Sequence, residues 1–399
     1  MVVFADKWIS LPPMRKIHFV FLFLISLSAC SESTQSIREE IVEEADSLSF
    51  FPQFNPLTKK YIRTKKKQVA RFYKEHVDQD NFSGMFLVAK NGKIIFERTA
   101  GYSNYKEKQR LTAESPIHVA SISKVATSYL ILKLCEEGLI DLDADVRRYL
   151  PELPYDGITV RMLLNHRSGI QYYAYFSHGK WDWNKSLTNK DVLSLLVKHK
   201  FRLNFPPGRK FSYCNTNFAL LALIAERVTD TRFPDLMKER IFDPLGMDNS
   251  FIADENRAWD VLNPSYDSKW KIQPFTNLDA VYGDKNLYTT ARDLLKLDMA
   301  SYSPFFLCDS LKQQMFKGYS YETRGHANYG LGMRMSEYKG YTTNFFHTGW
   351  WHGNTGCYTT LREDTTCIIS ISNKFTKVVY LNGGLAPHFG NYYPTFSFE

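Results

Sequence analysis

Cysteine is scarce: the 399 residues hold six. With Cys30 set aside, five remain, Cys135, Cys214, Cys308, Cys357 and Cys367. So few, in an odd number, exclude a disulfide framework as the source of stability. No pair has the spacing of a zinc site. One pairing stays open, because Cys357 and Cys367 flank Arg362-Glu363-Asp364, a candidate hairpin turn, and could face each other on paired strands. Long apolar runs are missing too. The stretch from Ile17 to Leu27 is too short to cross a bilayer comfortably. Repeats and low-complexity tracts are absent. The net charge of +8 is spread out, with acidic residues interrupting the basic ones. The dense basic run Lys59, Lys60, Arg63, Lys65, Lys66, Lys67 reads as the solvated face of a helix, which argues against a nucleic-acid partner. What is present is 44% hydrophobic and 15% aromatic residues, ample for a large core, so disorder is excluded.

The N-terminus carries an address. Met14, Arg15 and Lys16 precede the apolar run, which closes on Leu27-Ser28-Ala29-Cys30. A basic start, a short apolar stretch and small residues before a cut site describe a secretory signal over residues 1–29, with Met14 as the expected initiator. Cysteine directly after Leu-Ser-Ala resembles the bacterial lipobox. That resemblance implies a lipid-modified Cys30 and anchoring at the cell envelope, in the periplasm or outer membrane if the source is Gram-negative. Several acyl chains would hold the protein stably, at about 0.8 kcal/mol per buried methylene. Residues 30–57 then read as anchor and tether, and 58–399 as the catalytic domain.

Within that domain, apolar spacing predicts a helix near 57–77 and a hairpin through Asn91-Gly92. Helical spacing recurs at 121–137, 159–165, 189–199, 216–229 and 233–241, and strand-like segments return after 340. Strands at both ends with helices between predict an α+β fold. Its antiparallel sheet draws on about 58–118 and 286–399, and its inserted helical part covers about 119–285.

The chemistry centres on Ser121-Ile122-Ser123-Lys124 at a helix start. Positions i and i+3 share a helix face, so the amine of Lys124 can lie beside the Ser121 hydroxyl. A serine hydroxyl is a weak nucleophile until a neighbouring base takes its proton. Ser-x-x-Lys also occurs at Ser103, Ser177, Ser268 and Ser336, but only after Ser121 does a well-patterned apolar helix follow. Tyr213-Cys214-Asn215 and His347-Thr348-Gly349 come later in the chain.

Ser-x-x-Lys, Tyr-x-Asn and (Lys or His)-x-Gly in that order resemble the serine β-lactamase and penicillin-binding protein superfamily, and its class C β-lactamase-like branch in particular. Leu163 to Gly169, Pro207-Gly208 before Phe211-Ser212-Tyr213, Pro244 to Met247 and Gly283 to Asp293 match further blocks. The resemblance covers about residues 60–375. It implies a β-lactamase/transpeptidase-like fold in which Ser121 forms an acyl-enzyme and Lys124 and Tyr213 share the base work. It further implies that Asn215 bonds Lys124 and the substrate, and that His347, Thr348 and Gly349 bind the substrate. The backbone N–H groups of Ser121 and Trp350 would form the oxyanion hole. No metal or cofactor is implied, and the partner is a small-molecule or peptide-like substrate.

The third motif departs from the lysine of β-lactamases and many DD-peptidases. Histidine is mostly neutral near pH 7, which weakens carboxylate recognition and favours a secreted ester or amide hydrolase. A cell-wall D-Ala-D-Ala carboxypeptidase or β-lactamase is the alternative, and a non-catalytic penicillin-binding receptor the third reading. Tyr172, Tyr173, Tyr175, Phe176, Trp181, Trp183, Trp350 and Trp351 read either as an aromatic pocket wall or as packing. The sequence leaves the oligomeric state open.

Overall fold

The computed structural model describes residues 50–78, 82–256 and 262–395. The signal segment, Cys30 and residues 31–49 lie outside them. Helix α1 (Lys59–Phe72) opens with the Thr58 side chain accepting from the Tyr61 N–H. Lys59, Lys60, Arg63, Lys66 and Lys67 point to solvent, while Val69 and Phe72 are buried. Strands β1 (Gly84–Lys90) and β2 (Lys93–Ala100) follow. Asn91 and Gly92 join them with φ of 51° and 68°, a turn whose left-handed pair these residues tolerate. Helices α2 (Ser123–Glu136), α3 (Asn189–His199), α4 (Asn215–Thr229) and α5 (Ala291–Ala300) come next. The chain closes with β3 (Ala327–Tyr329), β4 (Arg334–Ser336), β5 (Asn344–Trp351), β6 (Asn354–Leu361) and β7 (Thr366–Ser372).

The main sheet runs β3-β4-β5-β6-β7-β1-β2, antiparallel at every pairing. β1 lies beside β7, with Leu87 opposite Ile369, so segments from before and after the helices share one sheet. Side-chain alternation divides the core. Phe86, Val88, Phe96 and Ile368 pack under α1, whereas Met85, Leu87, Ile369 and Ile371 pack toward the helical part. There α2 and α4 are buried nearly all round.

Two expectations change. Residues 50–57 run along the body: Phe50 and Phe51 lie against the core, and Phe54 meets the Tyr302 ring edge-on at 5.7 Å. Cys357 and Cys367 are both free thiols. Cys357 pairs with Ser370 and Cys367 with Thr360, so the two thiols sit three residues apart in register. An odd offset on a pleated sheet puts them on opposite faces, and no bridge can form.

Candidate active site

Ser121 lies in a 3-10 turn, Ala120–Ile122, one step before α2, so the regular helix opens at Ser123 rather than at 121. Ala120 has φ 49°, a left-handed conformation that costs a non-glycine residue about 1–2 kcal/mol. Three bonds hold it. The Ala120 N–H donates to His118 Nδ1 at 3.3 Å, Ser123 Oγ donates to the Ala120 carbonyl at 2.6 Å, and the Leu287 N–H donates to Ser123 Oγ at 3.0 Å. The i, i+3 spacing then brings Lys124 Nζ to 3.0 Å from Ser121 Oγ. Lys124 is fully buried, and its amine also donates to the Asp284 carbonyl at 2.7 Å. The expected Asn215–Lys124 bond is not among the amine's contacts, which are Ser121 Oγ and the Asp284 carbonyl; Asn215 Oδ1 has no hydrogen-bond partner among the described residues.

Tyr213 precedes α4 and stands with its ring 5.1 Å from Lys124 Nζ. His166 positions it. The Cys214 N–H donates to His166 Nδ1 at 3.2 Å, the Ser212 N–H donates to the His166 carbonyl at 2.9 Å, and the two rings lie 4.3 Å apart. Burial, then Lys124, His347 and Arg334, holds the pKa of His166 well below the usual histidine range. A neutral ring suits its bonding to backbone.

β5 passes close to the Ser121 turn: a Cβ on Gly349 would meet the Val119 carbonyl at 2.3 Å, so only glycine allows the approach. β4 pairs with β5 only as far as Phe346, so, among the described residues, 347–351 have no strand partner on that side. A cavity of about 500 Å³ opens there, lined by Ser121, Tyr213, Asn215, Arg334, Thr348, Gly349 and Trp350. Tyr172, Trp351, Phe375, Lys377 and Tyr380 complete the wall. The aromatic question therefore divides. Tyr172, Trp350 and Trp351 line the cavity, Tyr173 and Phe176 are core, and Tyr175 and Trp183 are exposed.

His347 is not in that wall. It is fully buried, bonded through Nε2 to the Tyr329 hydroxyl at 3.0 Å and through Nδ1 to the Thr348 carbonyl at 2.8 Å. Burial, then Arg334 and Lys124, pushes its pKa well below the usual range, so it brings no charge. Arg334 brings one instead. Its guanidinium stands 5.0 Å from the Tyr213 ring, its Nε lacks a hydrogen-bond partner, and no carboxylate pairs with it among the described residues. Sequence reasoning missed Arg334. The signal was a lone cation inside the apolar run Tyr329 to Met335. Tyr213 Oη, Asn215 Oδ1 and Arg334 Nε are thus three unpartnered polar atoms in residues of one cavity wall, which marks a surface built to bond something other than the protein.

A family model described as Beta-lactamase matches residues 69–386. The chain belongs to the Beta-lactamase family. As a member it is a serine hydrolase, related to penicillin-binding proteins. A penicillin-binding protein of Bacillus subtilis (strain 168) is 28% identical over 329 residues, 78% of this chain and 72% of that one. A D-aminopeptidase of Cereibacter sphaeroides (strain KD131) is 28% identical over 215 residues, 53% of this chain, which spans 41% of that longer relative. The crystal structure of a penicillin-binding protein from Bacillus halodurans superposes with a TM-score of 0.67 at 22% identity, over 80% of this chain and 97% of that one. At that identity the likeness is one of fold, and it is the expected mixed helix and antiparallel-sheet fold.

Proposed function

We propose that the chain hydrolyses an ester or amide through an acyl-serine at Ser121, with Lys124 and Tyr213 sharing the proton transfers. The observation that carries this reading is the 3.0 Å contact between Lys124 Nζ and Ser121 Oγ beside an open cavity. Ser121 Oγ attacks the carbonyl carbon as its proton passes to the Lys124–Tyr213 pair. Negative charge gathers on the carbonyl oxygen, and the N–H groups of Ser121 and Trp350 are the donors assigned to it, at about 3 kcal/mol each. The tetrahedral species collapses, the leaving group takes the proton, and the acyl group stays on Ser121. Water then attacks that ester with Tyr213 as base, which releases the acid and restores the hydroxyl. Asn215, Thr348 and Gly349 bond the substrate, and the open edge of β5 suits an extended, peptide-like one. His347 serves by holding Thr348.

The charge of the wall narrows the substrate. Arg334 and Lys377 are cations, and among the described residues no aspartate or glutamate lines the cavity. That favours a carboxylate beside the scissile bond over a free amine, and so favours the carboxypeptidase or β-lactamase reading over an aminopeptidase. Nitrocefin carries such a carboxylate and p-nitrophenyl butyrate does not. For Arg334→Gln, kcat/KM on nitrocefin is expected to fall about 10- to 100-fold, the worth of one charge-assisted hydrogen bond, with the ester held within about threefold. Equal losses on both would mean that Arg334 acts through Tyr213. A wild-type protein that acylates and turns over neither substrate would leave the receptor reading.

For the N-terminus we infer cleavage before a lipid-modified Cys30 and residence at the cell envelope. Intact mass of membrane-extracted protein is expected to show an acylated Cys30 as first residue. An unmodified N-terminus upstream of it would refute the anchor.

A further inference from the structure

Next to Lys124 lies a charged cluster that the proposed reaction does not use. The segment from Val281 to Asn286 threads between α2 and α4: a Cβ on Gly283 would meet the Phe218 carbonyl at 2.5 Å, and the Thr127 hydroxyl donates to the Gly283 carbonyl at 2.8 Å. Asp284 is fully buried; its backbone carbonyl takes the Lys124 amine, and its Oδ2 accepts the Tyr173 hydroxyl at 2.9 Å. Its Oδ1 has no hydrogen-bond partner among the described residues. Lys285 is only 2% exposed. Its ammonium donates to the Tyr173 hydroxyl and to the Val281 carbonyl, both at 2.8 Å, and lies 3.6 Å from Asp284 Oδ1. The same ammonium stands 5.1 Å from the ring of Trp351, the neighbour of Trp350. A buried ion pair with one oxygen left unbonded is a poor device for stability, since apolar residues of the same volume do as well or better.

We propose that Asp284 and Lys285 are positioning residues for Lys124: tied together by Tyr173, they fix the Asp284 carbonyl on the Lys124 amine, and their opposite charges flank the proton transfer from Ser121. The inference rests on the reading of Lys124 as part of the base. The two ammonium groups feel one another: burial first, and then Lys124 among the neighbouring charges, depresses the pKa of Lys285. The other titratable groups around Lys124 are Tyr213 and Cys214 from the turn before α4, His166 from the loop after Leu164, and His347 and Arg334 from the sheet. Both histidines are neutral, which leaves Arg334 as a fixed cation near Lys124, while the Asp279 carboxylate acts on Lys285.

The test is the pH profile of kcat/KM on p-nitrophenyl butyrate. Removing the anion in Asp284→Asn leaves the positive charge beside Ser121 less balanced, so the acid limb is expected to move down by about one pH unit. Removing the cation in Lys285→Met has the opposite sign, and the limb is expected to move up by about as much. The Asp284→Asn/Lys285→Met pair should return it toward wild type. Loosened packing alone would lower the rate without moving the limb in opposite directions. Limbs that superpose on wild type, or move the same way, overturn the proposal. Asp284→Asn is isosteric and keeps an acceptor for Tyr173, so it decides alone where Lys285→Met is not recovered folded. Ser121→Ala runs in parallel: activity surviving there would sink the acyl-serine reading itself and is distinguishable from flat profiles in an enzyme that needs Ser121.

Discussion

Ser121→Ala is expected to lose about 10⁴- to 10⁶-fold in kcat on p-nitrophenyl butyrate, the loss typical of removing a nucleophile. The fold should survive it. The strained turn is not held by the Ser121 side chain: Ser123 Oγ carries the bonds to the Ala120 carbonyl and from the Leu287 N–H. Ser121 Oγ takes part in one bond, from Lys124. Its loss leaves the amine on the Asp284 carbonyl, so the thermal midpoint should stay within a few degrees of wild type. Ser123→Ala is the converse control, with stability lowered by roughly 1–3 kcal/mol because the buried Ala120 carbonyl and Leu287 N–H lose a partner. Residual Ser121→Ala activity within about tenfold of wild type would remove Ser121 from the chemistry.

The parts of this molecule that sequence reading reached are those with short-range causes. Asn91-Gly92 fixes a turn because those two residues accept positive φ, and it did so here. The Ser121–Lys124 contact follows from the i, i+3 spacing, which the 3-10 turn before α2 also satisfies. Where the outcome depended on strand register, the reading ran out. The ten-residue spacing of Cys357 and Cys367 looked like a bridge, but the parity of the pairing separates them. Strands β3 and β4 stayed hidden because Gly330 and Gly332 interrupt the run; Gly332 is required, since a Cβ there would collide with Ser128 Oγ at 1.8 Å. Arg334, Asp284 and Lys285 were beyond reach for a different reason. Their meaning comes from what the fold sets against them, a tyrosine ring and a buried lysine; the lone cation in an apolar run marked Arg334 as unusual without saying what it would face. Arg334 also changes the functional weighing: a histidine in the third motif argued against an anionic substrate, and the missing cation is supplied from the neighbouring strand.

Lys124→Met is expected to lose about 10²- to 10⁴-fold in kcat/KM, the usual contribution of a general base. Methionine fills similar volume, and removing a fully buried polar amine relieves a desolvation cost, which offsets the Asp284 carbonyl left without its donor. Stability should therefore change little, and the loss should appear in the chemical step. The harder question is whether lysine or tyrosine takes the proton, since the amine touches the serine while the Tyr213 ring stands 5.1 Å from the amine. Tyr213→Phe and the Lys124→Met/Tyr213→Phe pair separate the two cases. If the residues act as one relay, each single variant loses about as much as the double, because breaking either link breaks the path. If Lys124 serves acylation and Tyr213 serves attack by water, Tyr213→Phe should accumulate acyl-enzyme visible by mass, whereas Lys124→Met should not acylate at all. Activity unchanged in Lys124→Met would exclude both schemes and leave the lysine as a structural cation under Ser121.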